Sequence, residues 1–140
     1  MSGSRPIFLI EDETDDAALT QRGLNTHLAN PIVVLRDGAQ ALEYLFEGIG
    51  RELPLVTLLD LGLPKVGGLE VLRRVRADVR TRLLPVVILT ASENERDMVE
   101  CHCLGCNSYV RKPANSAEFA DVARQLGPYW LLLNEPPSGR

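Results

Sequence analysis

The feature that most constrains the fold of this chain is a series of five short, mostly apolar runs that do not alternate with polar residues. The runs cover residues 6–10, 32–35, 55–59, 85–89 and 108–111. A strand that is buried on both faces has this continuous pattern, whereas a strand with one solvated face alternates. Helical patterns separate the runs, and strands that alternate with helices form parallel sheets. The sequence therefore predicts an α/β fold with a doubly wound parallel sheet that is covered by helices.

Between the runs, apolar residues recur with the spacing of a helix. Leu42, Leu45, Phe46 and Ile49 follow the i, i+3, i+4, i+7 pattern. Four further helices are predicted, from Thr14 or Asp15 to about Leu28, from Leu69 to Val79, from Glu93 to Leu104 and from Ser116 onward. Gly105 is expected to end the fourth helix. The pair at 127–128, Gly-Pro, is expected to interrupt the fifth, because proline lacks a backbone donor.

The composition is typical of one soluble domain. The chain has 140 residues, of which 45% are hydrophobic and 24% charged, and its net charge is −4. No apolar run approaches the ~18 residues of a membrane span, and the run at 6–10 is too short for a signal peptide. We therefore expect a cytoplasmic protein that has no membrane partner. The acidic balance argues against a nucleic-acid partner, because proteins that grip phosphates usually run basic.

Two clusters that could suggest other functions are interpreted as structural. Cys101, His102, Cys103 and Cys106 are close enough in sequence to suggest zinc, but Cys101 and Cys103 face different ways on a helix. Free thiols are the simplest interpretation in a chain with no secretory signal. Five arginines between residues 73 and 82 lack accompanying aromatic residues, which favours a solvated helix face over nucleic-acid binding.

Polar side chains follow four of the strands at one edge of the predicted sheet, where doubly wound folds bind ligands. They are Glu11, Asp12, Glu13, Asp60, Thr90 and Lys112. Clustered carboxylates repel one another, and Mg²⁺ is a hard cation that prefers oxygen ligands and neutralises phosphoryl groups. An Asp carboxylate can itself be the nucleophile, so the set fits phosphoryl transfer to Asp60. Acids after a strand are also common simply at helix N-termini, where the dipole favours them.

Four stretches together resemble the receiver domain of two-component response regulators. They are FLIED at 8–12, LLDLGLP at 58–64, VILTA at 87–91 and NSYVRKP at 107–113. The resemblance implies a flavodoxin-like receiver fold over residues 6–127, with five helices and five strands in the order 2-1-3-4-5. We expect a disordered head at 1–5 and a C-terminal extension at 128–140.

The resemblance also assigns roles at the predicted site. It implies that Glu11, through water, Asp12, Asp60 and the main-chain carbonyl of Gly62 hold Mg²⁺. It implies that Asp60 accepts the phosphoryl group and that Lys112 pairs with that group.

A switch is implied as well. Thr90 would turn toward the phosphoryl group, and Tyr109 would move inward to fill the space. The Lys112–Pro113 bond is expected to be cis.

Three further stretches are similar to stand-alone receivers that pair with phytochrome-type histidine kinases. They are ALEYL at 41–45, GCNSYV at 105–110 and YWLLLN at 129–134. Tyr129, Trp130 and Leu131 form an apolar segment that we expect at a partner surface, as part of a homodimer with the fifth helix. The alternative is a helix end that covers the protein's own core.

The sequence thus predicts a single-domain response regulator, not a turnover enzyme, that signals through a changed protein-interaction surface. A phosphorelay intermediate or phosphate sink, and a scaffold that is never phosphorylated, remain alternatives. A flavodoxin would need a small-residue phosphate loop where this chain has acids. A haloacid-dehalogenase-type phosphatase would need Asp-x-Asp after its first strand. Gly62 and Ser92 stand at positions that tune the lifetime of the phosphorylated state in the family, so they leave the lifetime open.

Overall fold

The structure is a computed structural model that describes residues 5–25, 30–47 and 53–135, with only the backbone described at 131–133. Strands and helices alternate along the chain. The strands are β1 (Ile7–Ile10), β2 (Ile32–Leu35), β3 (Val56–Leu59), β4 (Val86–Thr90) and β5 (Ser108–Arg111). The helices are α1 (Thr14–Asn25), α2 (Gly38–Phe46), α3 (Gly68–Ala77), α4 (Glu95–Leu104) and α5 (Ser116–Gly127), and a π-helical segment, Pro128–Leu133, follows α5.

The five strands form one parallel sheet in the order β2-β1-β3-β4-β5, which confirms the predicted topology. β1 pairs with β2 and β3 over all four of its residues. Every residue of β1, β3 and β4 is buried, as the continuous apolar runs predicted. β2 and β5 lie at the edges and are only partly buried.

Successive strand residues point to opposite faces of the sheet, so the core has two halves. Phe8 and Ile10 pack with the buried residues of α2 and α3 and with Cys101 of α4. Ile7 and Leu9 pack on the other face with Ala17 and Leu24 of α1. The two halves hold the sheet rigidly between helix layers, which fixes where the strand ends lie.

Helix ends differ from the predictions by small amounts. The cap of α1 comes from Glu13, whose Oε1 accepts hydrogen bonds from the backbone N–H groups of Asp15 and Asp16. α4 begins at Glu95 behind the Asn94 cap, and Gly105 ends it with φ 93° as predicted. The predicted end of α1 near Leu28 and the stripe residue Ile49 lie outside the described residues.

The predicted interruption at residues 127–128 is a change of helix type: α5 ends at Gly127, but the backbone stays helical. Pro128 has helical dihedral angles, φ −57° and ψ −40°, and the chain continues into the π-helical segment. Pro128 is the first residue of the π-helical segment, where the fixed φ of proline suits a helix. A hydrogen bond of 2.6 Å from the backbone N–H of Asn134 to the carbonyl of Tyr129 closes the wider turn.

This continuation moves Trp130 away from the predicted partner surface. Trp130 is only 6% exposed and packs with Ile7 and Leu24 in the core half that α1 covers. The alternative of a helix end that covers the core is therefore correct for Trp130. Tyr129 is 50% exposed, and the side chain of Leu131 lies outside the described residues.

Other expectations concern the Lys112–Pro113 bond, the two ends of the chain and membrane spans. The described chain contains no cis peptide bond, so Lys112–Pro113 is trans, the isomer that X–Pro bonds favour by about 0.5–1 kcal/mol. Arg5, the last residue of the predicted disordered head, donates hydrogen bonds to the carbonyls of Leu53 and Pro54. Residues 1–4 and 136–140 lie outside the described residues. None of the described helices is long and apolar enough to cross a membrane.

Candidate functional site

The carboxyl ends of four strands meet in a cleft of about 610 Å³. Asp12 follows β1, Asp60 follows β3, Thr90 ends β4 and Lys112 follows β5, and all four line the cleft. Asp16, from the first turn of α1, lines it as well. The parallel topology places both the strand ends and the helix starts at this edge of the sheet. The predicted site residues are therefore brought together.

Lys112 is the positive centre of the cleft, and its side chain is 5% exposed. Its ammonium donates to Glu11 Oε1 at 2.5 Å, to Asp16 Oδ2 at 3.0 Å and to Asp60 Oδ2 at 3.3 Å. Burial lowers the pKa of Lys112, but the hydrogen bond to Glu11 and the charges of Asp60 and Glu11 more than offset that effect and raise it. The ammonium thus stays charged and uses all three of its N–H groups.

Glu11 is the most buried carboxyl group of the cleft, with an exposure of 1%. Burial raises its pKa to about 7, and the nearby charge of Asp60 adds to the rise, although the hydrogen bond from Lys112 opposes it. Its second oxygen accepts from the backbone N–H of Glu13. One lysine therefore leaves the negative charge of Glu11 and its neighbours only partly balanced.

Three carboxyl groups, those of Glu11, Asp12 and Asp60, offer oxygen atoms that all lie within 4.8 Å of one another. Asp12 is exposed and Asp60 is partly exposed, so the cluster opens to solvent on one side. Hard divalent cations prefer such an oxygen donor set and keep several waters. The excess negative charge and the buried Glu11 fit a divalent cation at this position.

The loop after β3 fixes the orientation of Asp60. The backbone N–H of Gly62 lies 3.4 Å from Asp60 Oδ1, and the backbone N–H of Gly68 bonds the carbonyl of Leu61. A Cβ on Gly68 would lie 2.2 Å from the carbonyl oxygen of Asp60, so only glycine permits this close approach. Next to Gly62 there is open space, with no atom within 4 Å of where a Cβ would stand.

The proposed switch residues lie on neighbouring strands. Thr90 is 3% exposed, and its Oγ1 accepts a hydrogen bond of 3.3 Å from the backbone N–H of Ser92. Tyr109 packs against the core half that contains α2, α3 and α4, and its ring lies 6.2 Å from that of His102. Its hydroxyl oxygen is buried, and burial raises the pKa of the phenol. The side chain of Tyr109 thus already points into the protein in this structure.

Sequence reasoning missed Asp16 and Arg36. Asp16 was assigned no role from the sequence, yet its carboxylate reaches Lys112. Arg36, at the end of β2, donates to the carbonyl of Asp12 at 3.2 Å and to Thr14 Oγ1 at 2.8 Å, and so braces the loop that carries Asp12. The first turn of α1 begins at the same sheet edge as the strand ends, which places Asp16 near the cleft, but only the side-chain geometry shows that it reaches Lys112.

The cysteine cluster and the arginine-rich stretch make contacts within the protein. Among the described residues, the three acids are the only group of His, Cys, Asp or Glu that could hold a metal ion. Cys101 is buried, and Cys106 Sγ lies 3.9 Å from His102 Nδ1. Arg73 and Arg74 both pair with Glu70 on the surface of α3, and an acid therefore balances part of the charge on the arginine-rich face.

Comparison with known proteins agrees with the geometry. Residues 7–124 match the response regulator receiver domain. The chain is 40% identical over 134 residues to the probable methanogenesis regulatory protein FilR2 of Methanothrix harundinacea, covering 94% of this chain and 86% of that protein.

Two solved structures are also similar. One is the phosphorylated cyanobacterial phytochrome response regulator RcpA, with 35% identity, a TM-score of 0.89 and coverage of 96% of this chain and 99% of that chain. The other is the Mn²⁺-bound form of response regulator Rcp1, with 33% identity and the same TM-score and coverage; Rcp1 is a Synechocystis protein. With its β2-β1-β3-β4-β5 sheet and its cleft of three acids and a lysine, this chain belongs to the response regulator receiver family, and it is related to the phytochrome response regulators.

Proposed function

We propose that this protein is a signalling switch that accepts a phosphoryl group on Asp60 from a histidine kinase in the presence of Mg²⁺. The observation that carries the proposal is the contact between Lys112 and Asp60 beside the cluster of Glu11, Asp12 and Asp60. Asp60 lines an open cleft, so a donor can approach it. The protein acts as a phosphorylated partner rather than as a turnover enzyme.

Each predicted site residue of the cleft has a role in this transfer, together with Mg²⁺. A carboxylate oxygen of Asp60 attacks the phosphorus atom and forms an acyl phosphate, while the P–N bond to the donor histidine breaks and the imidazole keeps the electron pair. Lys112 offers its ammonium to the phosphoryl oxygens, and Thr90 offers its hydroxyl from the side of β4. Mg²⁺, held by Asp12, Asp60, the carbonyl of Gly62 and, through water, Glu11, would supply the positive charge that phosphoryl transfer needs.

The output follows from the new charge. A phosphoryl group adds about −1.5 to −2 charge and three strong acceptors. Thr90 is close enough in the fold to reorient toward it, and a shift of the β4–α4 loop would change how Tyr109 packs beside His102. The surface of α4, β5 and α5 would then differ between the two states.

For the kinase, we propose a phytochrome-type photoreceptor. Support comes from the phytochrome response regulator RcpA, which matches over nearly the full chain. FilR2, a probable methanogenesis regulatory protein, is 40% identical to this chain, against 35% for RcpA, so the chain also resembles a protein named for a different role. Initial rates of phosphotransfer from a panel of phosphorylated histidine kinases would test this: a phytochrome-type kinase should be fastest, and equal rates across the panel would contradict it.

We also propose that the protein is cytoplasmic. Cys101, Cys103 and Cys106 are free thiols, as expected in a reducing compartment. The acidic net charge of −4 supports a protein partner over nucleic acid.

Intact mass after incubation with acetyl phosphate and Mg²⁺ tests the phosphorylation itself. The mass should rise by one phosphoryl group, and the gain should disappear in Asp60→Asn and when EDTA replaces Mg²⁺. The exposed Asp15 gives a control, because Asp15→Asn should gain the same mass. No gain with any donor would favour the scaffold alternative. A phosphoryl group that passes quickly on to a histidine phosphotransfer protein would favour the relay.

A further inference from the structure

Asp16 lines the cleft, but it is not among the residues that we propose to bind the metal ion or the phosphoryl group. It lies in the first turn of α1, and its side chain is 28% exposed. Its Oδ2 is 3.0 Å from the Lys112 ammonium, which is closer than Asp60 Oδ2 at 3.3 Å. It is not a member of the carboxylate cluster whose oxygens lie within 4.8 Å of one another. Asp16 therefore acts on the lysine.

The three N–H groups of Lys112 are all occupied before phosphorylation, by Glu11, Asp16 and Asp60. A phosphoryl group on Asp60 brings three new acceptors to the same ammonium. One of the existing partners must therefore be released or share its N–H. Glu11 is fully buried and held at 2.5 Å, whereas water can reach Asp16 and replace the lysine as its partner. Asp16 is therefore the partner that can release its hydrogen bond from Lys112.

We propose that Asp16 is a positioning residue that restrains phosphorylation of Asp60. Its carboxylate holds Lys112 in the unmodified state, and its negative charge opposes the arrival of an anionic phosphoryl group. This inference rests on the proposed phosphorylation of Asp60. The restraint is electrostatic, so removal of the charge should matter more than removal of the hydrogen bond.

Asp16→Asn separates these two effects, because the amide oxygen can still accept from Lys112 while the charge is lost. Asp15→Asn is the matched control: it removes the same charge from the same helical turn, but Asp15 is exposed and makes no contact with Lys112. The measured quantity is the initial rate of mass gain with acetyl phosphate and Mg²⁺. In this reaction the Asp60 oxygen forms the new O–P bond and acetate leaves with the electrons of the broken O–P bond.

We expect Asp16→Asn to be about three- to tenfold faster than wild type at low salt, the effect of one unit charge several ångströms away in a partly solvated site. The ratio should fall toward one as salt rises, because screening weakens a charge effect but not a packing effect. Asp15→Asn should stay within about twofold of wild type, since its charge faces solvent. Melting temperatures of the variants verify that each is folded.

The outcomes distinguish the two proposals. If wild type gains no phosphoryl group, the proposed function fails. If wild type is phosphorylated but Asp16→Asn is no faster than Asp15→Asn, or is faster by a factor that salt does not change, the role of Asp16 is overturned and the function stands. Affinity for beryllofluoride, a phosphoryl analogue, gives an equilibrium readout, and Asp16→Asn should bind it more tightly by a similar factor.

Discussion

At the residue scale, the cleft holds more negative than positive charge. Lys112 serves Glu11, Asp16 and Asp60, so one ammonium faces three carboxyl groups. Buried charges are tolerated only when they are paired and hydrogen-bonded. The excess of negative charge favours binding of a cation. Burial, with a smaller contribution from the charge of Asp60, raises the pKa of Glu11.

The raised pKa of Glu11 predicts how stability depends on pH. The pKa of Glu11 is raised from 4.5 to about 7, so between these values the folded state binds a proton that the unfolded state does not. The stability that this proton contributes is fully present below pH 4.5 and is lost as the pH rises toward 7. In the absence of divalent cations, the free energy of unfolding should fall across this window by on the order of 2 kcal/mol from this group.

Glu11→Gln should flatten that dependence, because the amide does not titrate. Chemical denaturation at several pH values in EDTA would measure it, and Asp15→Asn, an exposed neighbour, should keep the wild-type slope. A Glu11→Gln variant with an unchanged slope would assign the titration to another group.

At the element scale, α1 and α5 approach each other closely enough to exclude side chains. A Cβ on Gly23 would lie 2.5 Å from the Cβ of Ala123 and 2.7 Å from its carbonyl carbon. Gly127 also faces α1, but a Cβ there would meet Leu24 at 3.8 Å, an ordinary contact. The small residues at 23 and 123 thus set the spacing of the two helices.

Gly23→Ala is therefore expected to destabilise the protein by about 1–3 kcal/mol, although alanine is the better helix former by about 1 kcal/mol. The backbone of α5 would have to shift, and it cannot move as a flexible side chain would. Gly127→Ala is the control and should be neutral or slightly stabilising. Urea denaturation compares the two, and a Gly23→Ala variant as stable as wild type would mean that the helices can move apart freely.

The π-helical segment belongs to the same layer and provides a second prediction at this scale. Trp130→Ala should cost about 3–5 kcal/mol, since it empties a site in the core between Leu24 and Ile7. Tyr129→Ala, which changes its exposed neighbour, should cost much less. Equal losses for the two would show that Trp130 is not buried in solution.

At the scale of the whole molecule, the proposed change at the surface of α4, β5 and α5 requires a partner that binds it. We propose a homodimer through α5 and the segment after it, and the burial of Trp130 leaves Tyr129 as the described aromatic side chain of that segment that a partner could contact. Light scattering at micromolar concentration, with and without beryllofluoride, should show a dimer, and Tyr129→Ala should weaken it. A monomer under both conditions would contradict the dimer.

The site was predictable to the extent that it depends on strand ends. Asp12, Asp60 and Lys112 follow strands and Thr90 ends one, and parallel strands end at one edge. Asp16 and Arg36 were not predicted because their roles depend on side-chain reach from α1 and β2. The trans Lys112–Pro113 bond was not predicted either, since the two isomers differ by only about 0.5–1 kcal/mol and the surrounding fold decides between them.

The sequence by itself determined the α/β class, the five strands and the chemistry at their ends, because continuous burial and helical periodicity are local patterns in the chain. Only the tertiary structure decided that Pro128 continues a helix, that Trp130 covers the core and that Asp16 shares Lys112 with Asp60. These outcomes depend on contacts between residues far apart in the chain, such as Asp16 and Lys112, which no local pattern records.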